Sequence, residues 1–214
     1  MVLIFTFEGM FFLQSGLLQK LEQFDQWLFI KVNSGMANPL FDAVMPFMRV
    51  SINWAPLYLF LGVFVVLNFN YKGLWWALFF CATVAITDMT GTYVFKHNIQ
   101  RFRPCSDPEF YYRVRLVVEY CSNGFSFISN HSANHFGLAT FFYITMRPVL
   151  KKWSAIGYIW AGLIAFSQVY VGVHYPLDVL AGSLLGLLVG TLTGRLFNKR
   201  FRFVIFESQS TPIS

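Results

Sequence analysis

Two residues with the means to do chemistry, His174 and Asp178, stand four positions apart where two apolar segments meet. Titratable side chains at such depth in an apolar chain are rare and mark functional sites by default. Pro176 suits the first turn of a helix, and Asp178 then falls among exposed N–H groups that favour a carboxylate. His174, just ahead of that helix, can donate one ring N–H to Asp178. Its other nitrogen then faces outward as a neutral nucleophile or base. Two further polar stretches carry complementary groups, Lys96 with Arg103 and Ser129-Asn130-His131. An Arg fork and a Lys point charge beside hydroxyl and backbone N–H donors make a site for phosphoryl oxygens. Two histidines can divide the work there, one attacking phosphorus and the other protonating the departing oxygen.

The elements that must position these groups are apolar. Of 214 residues, 56% are hydrophobic and 12% charged, against about 25% charged in a soluble domain. Uncharged stretches exceed the roughly 18 residues needed to cross a bilayer at 50–71, 120–146 and 153–177, with 73–95 interrupted only by Asp88 and 177–197 bounded by Asp178 and Arg195. The expectation is an all-α integral membrane helical bundle of about five transmembrane spans. The net charge of +6 is scattered through short loops and tails, so it argues for membrane topology and against nucleic acid as a partner.

Met1 to Leu13 is apolar, contains Glu8 and lacks the basic residues of a signal peptide, so it reads as an interfacial or loosely inserted segment. Between Leu17 and Val32, Leu17, Leu18, Leu21, Phe24, Trp27 and Leu28 recur at helical spacing against Gln19, Lys20, Glu22 and Asp25, the pattern of an amphipathic interfacial helix. Asn38-Pro39 and Pro46 are read as breaks before the first span, and Asn68 to Gly73 as the turn after it. The chain therefore divides into an N-terminal interfacial segment 1–50, a transmembrane core 51–198 with a long polar loop 96–128, and a polar cytoplasmic tail 199–214. Such long loops are usually functional. Within it Cys105 and Cys121 could close a disulfide contributing about 3 kcal/mol. Asp88, inside a span, needs a partner, for which Thr87, Thr92 or a basic residue on a neighbouring helix could serve. Gly182, Gly186, Gly190 and Gly194 form a stripe of small residues for close helix packing. Alternation of the spans puts Lys72, Arg147, Lys151, Lys152, Arg195, Lys199, Arg200 and Arg202 on one side, the cytoplasmic one by the positive-inside rule. The chemistry-bearing stretches then face the periplasm or exterior.

These stretches resemble the type 2 phosphatidic acid phosphatase superfamily of membrane lipid phosphatases, related to vanadium haloperoxidases and bacterial acid phosphatases. Its pattern runs Lys-x6-Arg-Pro, Pro-Ser-Gly-His and Ser-Arg-x5-His-x3-Asp, in the order and spacing found between Lys96 and Asp178. The resemblance implies hydrolysis of a lipid phosphate or diphosphate, without metal or other cofactor, in a bacterial inner membrane. His174 would be the nucleophile forming a phosphohistidine, Asp178 its orienting carboxylate and His131 the general acid. Lys96, Arg103, Ser129 and the backbone N–H of Asn130 would hold the phosphoryl oxygens.

The chain departs from the pattern at Ile128 and Asn130, and at Gln168, which stands where the family has Arg. Hydrogen bonds to charged groups contribute about 1.5–3 kcal/mol against about 0.5–1.5 for neutral ones, so a glutamine at the phosphate predicts a slow enzyme, with Arg101 as the residue that could compensate. His131 and His135 share the spacing of zinc hydrolases, but Ser132 stands where such sites need Glu. Phosphotransfer to another lipid, and lipid-phosphate binding without turnover, are the alternative functions. Phosphatidylglycerol phosphate, undecaprenyl diphosphate, phosphatidic acid and lipid A phosphates all satisfy the same head-group chemistry. The oligomeric state is not encoded in any of these motifs.

Overall fold

The computed structural model describes residues 7–203, and side chains from residue 16 onward. The expectations for residues 1–6 and for the tail beyond 203 lie outside these described residues. Within them the chain is helical, with no strand.

Helix α1 (Phe7–Asn33) is followed by α2 (Pro39–Arg49). Asn38 caps α2 by accepting the Phe41 N–H at 2.9 Å, and Pro39 occupies the first turn, where its missing N–H costs nothing. Pro46, expected to break the chain, instead lies inside α2, whose flanking residues Met45 and Met48 are buried. The packing of α2 outweighs the one backbone hydrogen bond that proline removes.

The segment α3 (Ala55–Met89) is interrupted at Asn70, with φ 50° and ψ −130°. In one continuous helix Tyr58 and Phe80 would lie about 33 Å apart, yet their ring centroids are 6.2 Å apart. The chain therefore reverses at Asn70, and α3 is a hairpin of two arms, as the turn residues around Asn68 predict. A side chain on Gly73 would strike the Val65 carbonyl oxygen of the opposing arm. The second arm runs through a π-helical turn, Thr90–Lys96, into the short α4 (His97–Ile99). Three further helices complete the bundle, α5 (Asn130–Leu150), α6 (Ile156–Tyr170) and α7 (Pro176–Phe201).

The stretches Ser51–Ser106 and Pro176–Phe201 are long and apolar enough to cross a membrane. Their outward surface is correspondingly oily. Leu59, Phe60 and Leu67 on α3, and Leu184, Leu188, Leu192 and Leu196 on α7, are all more than half exposed. A soluble protein would not carry such a belt, and the molecule is an integral membrane helical bundle. On α1 the apolar residues Leu17, Leu21, Phe24 and Trp27 point outward, while Asp25, Phe29 and Asn33 are fully buried against the bundle.

Helices α5 and α7 make the most extensive contact in the molecule and run parallel. Side chains added at Gly182, Gly186 and Gly190 would meet the carbonyl oxygens of Ser129, Ala133 and Gly137 in turn. The glycine stripe thus brings two backbones together, and it sets both helix N-termini side by side. At the far end, Arg147, Arg195, Lys199 and Arg202 share one recess. The basic residues assigned to one side of the membrane are therefore remote from the histidines.

The polar loop 97–129 is pinned across the N-terminal ends of α5 and α7. Asn33 takes the Arg115 N–H at 2.9 Å and donates to the carbonyls of Arg115 and Tyr170 at 2.8 and 2.7 Å. Cys105 and Cys121 are joined by a disulfide, with Cα atoms 5.8 Å apart. Alkylation of the denatured protein should therefore modify one cysteine, Cys81, before reduction and three after it, read by mass. Three modified thiols without reductant would exclude the bridge.

Candidate active site

His174 lies in the short turn between α6 and α7, a turn closed on the carbonyl of Gln168, which accepts the N–H groups of Val173 and His174 at 3.2 Å each. Gly172 makes this turn possible. It has φ 96°, and a side chain there would collide with Val114 and the Arg115 carbonyl. The imidazole is buried, with 2% of the residue exposed. Burial, reinforced by Arg103 and Lys96 and opposed by Asp178, pulls its pKa down to about 4. The ring is therefore neutral near neutral pH.

Asp178 caps the first turn of α7, accepting the Tyr175 N–H at 2.9 Å. The carboxylate lies 3.5 Å from His174 Nδ1, longer than a good hydrogen bond. Ser126 fills the interval. Its hydroxyl is 3.3 Å from Nδ1 and hydrogen-bonds Asp178 Oδ2. The direct contact expected from the sequence is thus supplemented by a relay in which Nδ1–H donates to Ser126 and Ser126 donates to Asp178. This leaves the lone pair on Nε2, 3.0 Å from Arg103 Nη1.

Arg103 is buried beside that lone pair, its Nε donating to the Gly124 carbonyl and its Nη1 also to the Val173 carbonyl, both at 3.1 Å. Burial, with Arg49 adding to it and Asp178 opposing it, lowers its pKa to about 10. Lys96 has no hydrogen-bond or carboxylate partner among the described residues. Burial and the neighbouring Arg103 bring its pKa down to about 8. Such a cation gains from any anion that arrives.

Ser129, fully buried, caps α5 and is tied to α7 by its N–H, which donates to the Asp178 carbonyl at 2.9 Å. Asn130 opens α5. Its side chain turns away to Asp88 and Thr92, both at 2.9 Å. Asp88, for which Thr87, Thr92 or a basic residue on a neighbouring helix was expected as partner, is instead met by Asn130 and, at 3.3 Å, by Asn134. The backbone N–H groups at the start of α5 form the positive end of a helix, a natural seat for an anion. His131 follows in that first turn, partly exposed, with no side-chain hydrogen bond among the described residues.

Two residues weighed for the phosphate site make their side-chain contacts elsewhere. Gln168 is fully buried, and its amide nitrogen reaches only the Ile164 carbonyl and the Ser167 hydroxyl, each at 3.4 Å. It makes no side-chain hydrogen bond to Lys96, Arg103 or His174, and what it contributes to the site is its backbone carbonyl. Arg101 cannot supply a spare charge. Its guanidinium is held by Asp178 at 2.8 Å, Asp25 at 2.7 Å and Glu22 at 2.8 Å, and lies 4.1 Å from the Tyr175 ring centroid. Arg101 instead fixes the outer oxygen of Asp178. His135 is also committed, its Nδ1 to the His131 carbonyl at 2.7 Å and its Nε2 to the Tyr58 hydroxyl at 3.0 Å. Both of its ring nitrogens are thus engaged within the protein.

Ser126, Glu22 and Asp25 were not singled out from the sequence. Glu22 and Asp25 looked like the polar face of a surface helix, and Ser126 sits in an irregular loop with no periodicity to mark it.

Two histidines, a buried carboxylate and the cations Lys96 and Arg103 thus stand near the N-terminal ends of α5 and α7 in an integral membrane bundle. The chain belongs to the PAP2 superfamily, whose profile matches residues 73–202. It is 31% identical over 176 residues to lipid A 4'-phosphatase of Porphyromonas gingivalis, covering 79% of this chain and 71% of that one. It is 30% identical over 180 residues to lipid A 4'-phosphatase of Bacteroides thetaiotaomicron, covering 82% and 78%. Among solved structures it resembles the transmembrane PAP2-type phosphatidylglycerolphosphate phosphatase from Bacillus subtilis, with a TM-score of 0.66 and 25% identity over 86% of this chain and 90% of that one.

Proposed function

We propose that the protein removes phosphate from a membrane lipid through a phosphohistidine on His174, without a metal ion, at the outer face of a membrane it crosses five times. That it is a hydrolase of lipid phosphates rests on its family and on relatives matched over most of their length. The observation that carries the mechanism is the setting of buried His174, held at Nδ1 through Ser126 and Asp178, with Nε2 facing an Arg103 guanidinium that has no carboxylate partner among the described residues.

In this mechanism Nε2 attacks phosphorus in line with the lipid oxygen. As the N–P bond forms, the P–O bond to the lipid breaks, and His131 gives its proton to the departing oxygen. Charge on the equatorial oxygens is met by Lys96, Arg103, the Ser129 hydroxyl and the Asn130 backbone N–H, already in place before the reaction. Gln168 supports them by holding the His174 turn. Asp178 stabilises the imidazolium that develops. In the second step His131, now neutral, takes a proton from water, which attacks the phosphohistidine and releases inorganic phosphate and free His174. The lipid tail has a place in the apolar crevice of about 420 Å³ lined by Tyr58, Trp76, Phe80 and Leu138, with His135 on its wall. The outward orientation is supported by the basic residues at the opposite end of the bundle and by the disulfide, which belongs to oxidising compartments.

Purified protein offered lipid A, phosphatidylglycerol phosphate, undecaprenyl diphosphate and phosphatidic acid is expected to release phosphate from at least one of them in excess EDTA, and to lose that activity with vanadate. Abolition by EDTA with recovery on adding zinc would overturn the metal-free mechanism.

A further inference from the structure

Arg49 is a half-buried cation near the histidines that no motif accounts for. It sits in the last turn of α2, a helix anchored by Met45 against Tyr170, Val171 and Val173, the turn that leads to His174. Its Nη2 donates to the Ser122 hydroxyl at 3.0 Å. Ser122 follows Cys121, and the disulfide joins Cys121 to Cys105, two residues beyond Arg103. Gly124, two residues further along, accepts from Arg103 Nε at 3.1 Å. Arg49 and Arg103 thus hold one short loop at neighbouring points, and Arg49 lies within electrostatic reach of both Arg103 and His131.

Its bonding is incomplete. Arg49 Nε is buried without a hydrogen-bond partner, and the guanidinium has no carboxylate among the described residues. A guanidinium N–H withdrawn from water and left unpaired is costly. Lys96 is likewise unpaired, while Arg101, in the same sequence region, is neutralised by three carboxylates. Gln168 brings no charge.

We infer that Arg49 is a substrate-binding residue, the third cation of the phosphate site with Lys96 and Arg103, and that this site is built for a phosphoryl group carrying two negative charges. The inference rests on the phosphatase reading above and adds to it a residue from outside the segment that bears the motifs. Cations carried on α2, the π-helical turn and the loop would then meet a dianion from three separate elements. A monoanionic phosphodiester would leave two of the three cations unmatched, a dianion one.

The test compares Arg49→Ala, Arg49→Gln and Arg49→Lys with the parent protein, using inorganic phosphate and vanadate as inhibitors and the lipid substrate found in the panel above. Arg49→Ala and Arg49→Gln should raise the inhibition constants for both anions and the KM by about tenfold or more, with labelled phosphoenzyme still formed. Arg49→Lys should recover most of that loss. Should Arg49→Ala not fold, the Gln and Lys variants decide the matter, since both keep part of the stem. Equal affinities of the Gln and Lys variants for inorganic phosphate overturn the inference. So does an Arg49→Ala protein of parental melting temperature whose inhibition constants are unchanged. A parent protein that neither releases phosphate nor binds vanadate would overturn the phosphatase reading itself, which separates the two failures.

Discussion

His174→Ala is expected to abolish the labelled phosphoenzyme and to lower kcat by about 10⁶-fold, the scale seen when a nucleophile is removed from a unit of interdependent groups. The reason is geometric. Among the described residues Nε2 is the imidazole nitrogen in contact with the Arg103 guanidinium, and the other nitrogen is fixed by Ser126 and Asp178. Water in the space vacated by the ring would lack both the nucleophilicity of the imidazole and its orientation. Binding should survive, because Lys96 and Arg103 are untouched and Arg103 keeps its carbonyl contacts to Gly124 and Val173. The measurement is acid-quenched labelling with a phosphate-labelled substrate, alongside steady-state turnover. Labelled protein in His174→Ala would place the nucleophile elsewhere.

His131→Ala should slow lipid hydrolysis by about 10²–10⁴-fold, the contribution typical of a positioned general acid. The size of the effect must depend on the leaving group. A lipid alkoxide or sugar oxygen is a poor leaving group and needs the proton, whereas a nitrophenolate leaves without one. With an activated aryl phosphate the initial burst of phenol should stay within about tenfold of the parent. Its steady state should still fall, because the same residue activates water in the second step, and phosphoenzyme should accumulate. An equal loss in burst and steady state would remove the acid role from His131.

Much of this molecule was legible in its residues, for identifiable reasons. The helices were marked by long apolar runs, and the hairpin by Asn68, Asn70 and Gly73. The charged and titratable side chains of the three motifs were visible because an apolar chain has so few. What escaped were contacts that depend on tertiary closure. Glu22 and Asp25 followed the polar face of an amphipathic pattern, and only the folded bundle shows that this face turns inward to Arg101. Ser126 entered the His174–Asp178 pair from a loop 48 residues upstream of His174, where no period or spacing could announce it. Arg101 and Gln168 were read by proximity in sequence to the site. Their partners, three carboxylates for one and its own helix for the other, lie in directions that sequence distance does not define.

The ledge of backbone against backbone between α5 and α7 has a consequence for movement. Where Gly182, Gly186 and Gly190 meet the carbonyls of Ser129, Ala133 and Gly137, there are no side chains to change rotamer, and packed contacts of this density do not deform continuously. The two helices can neither slide nor part without vacating the seam at several levels at once. His131 and Asp178, carried on their adjoining first turns, therefore belong to a stationary frame. The other wall of the apolar crevice, where the first arm of α3 supplies Tyr58, has no such backbone seam to α5 in the contacts of its glycines.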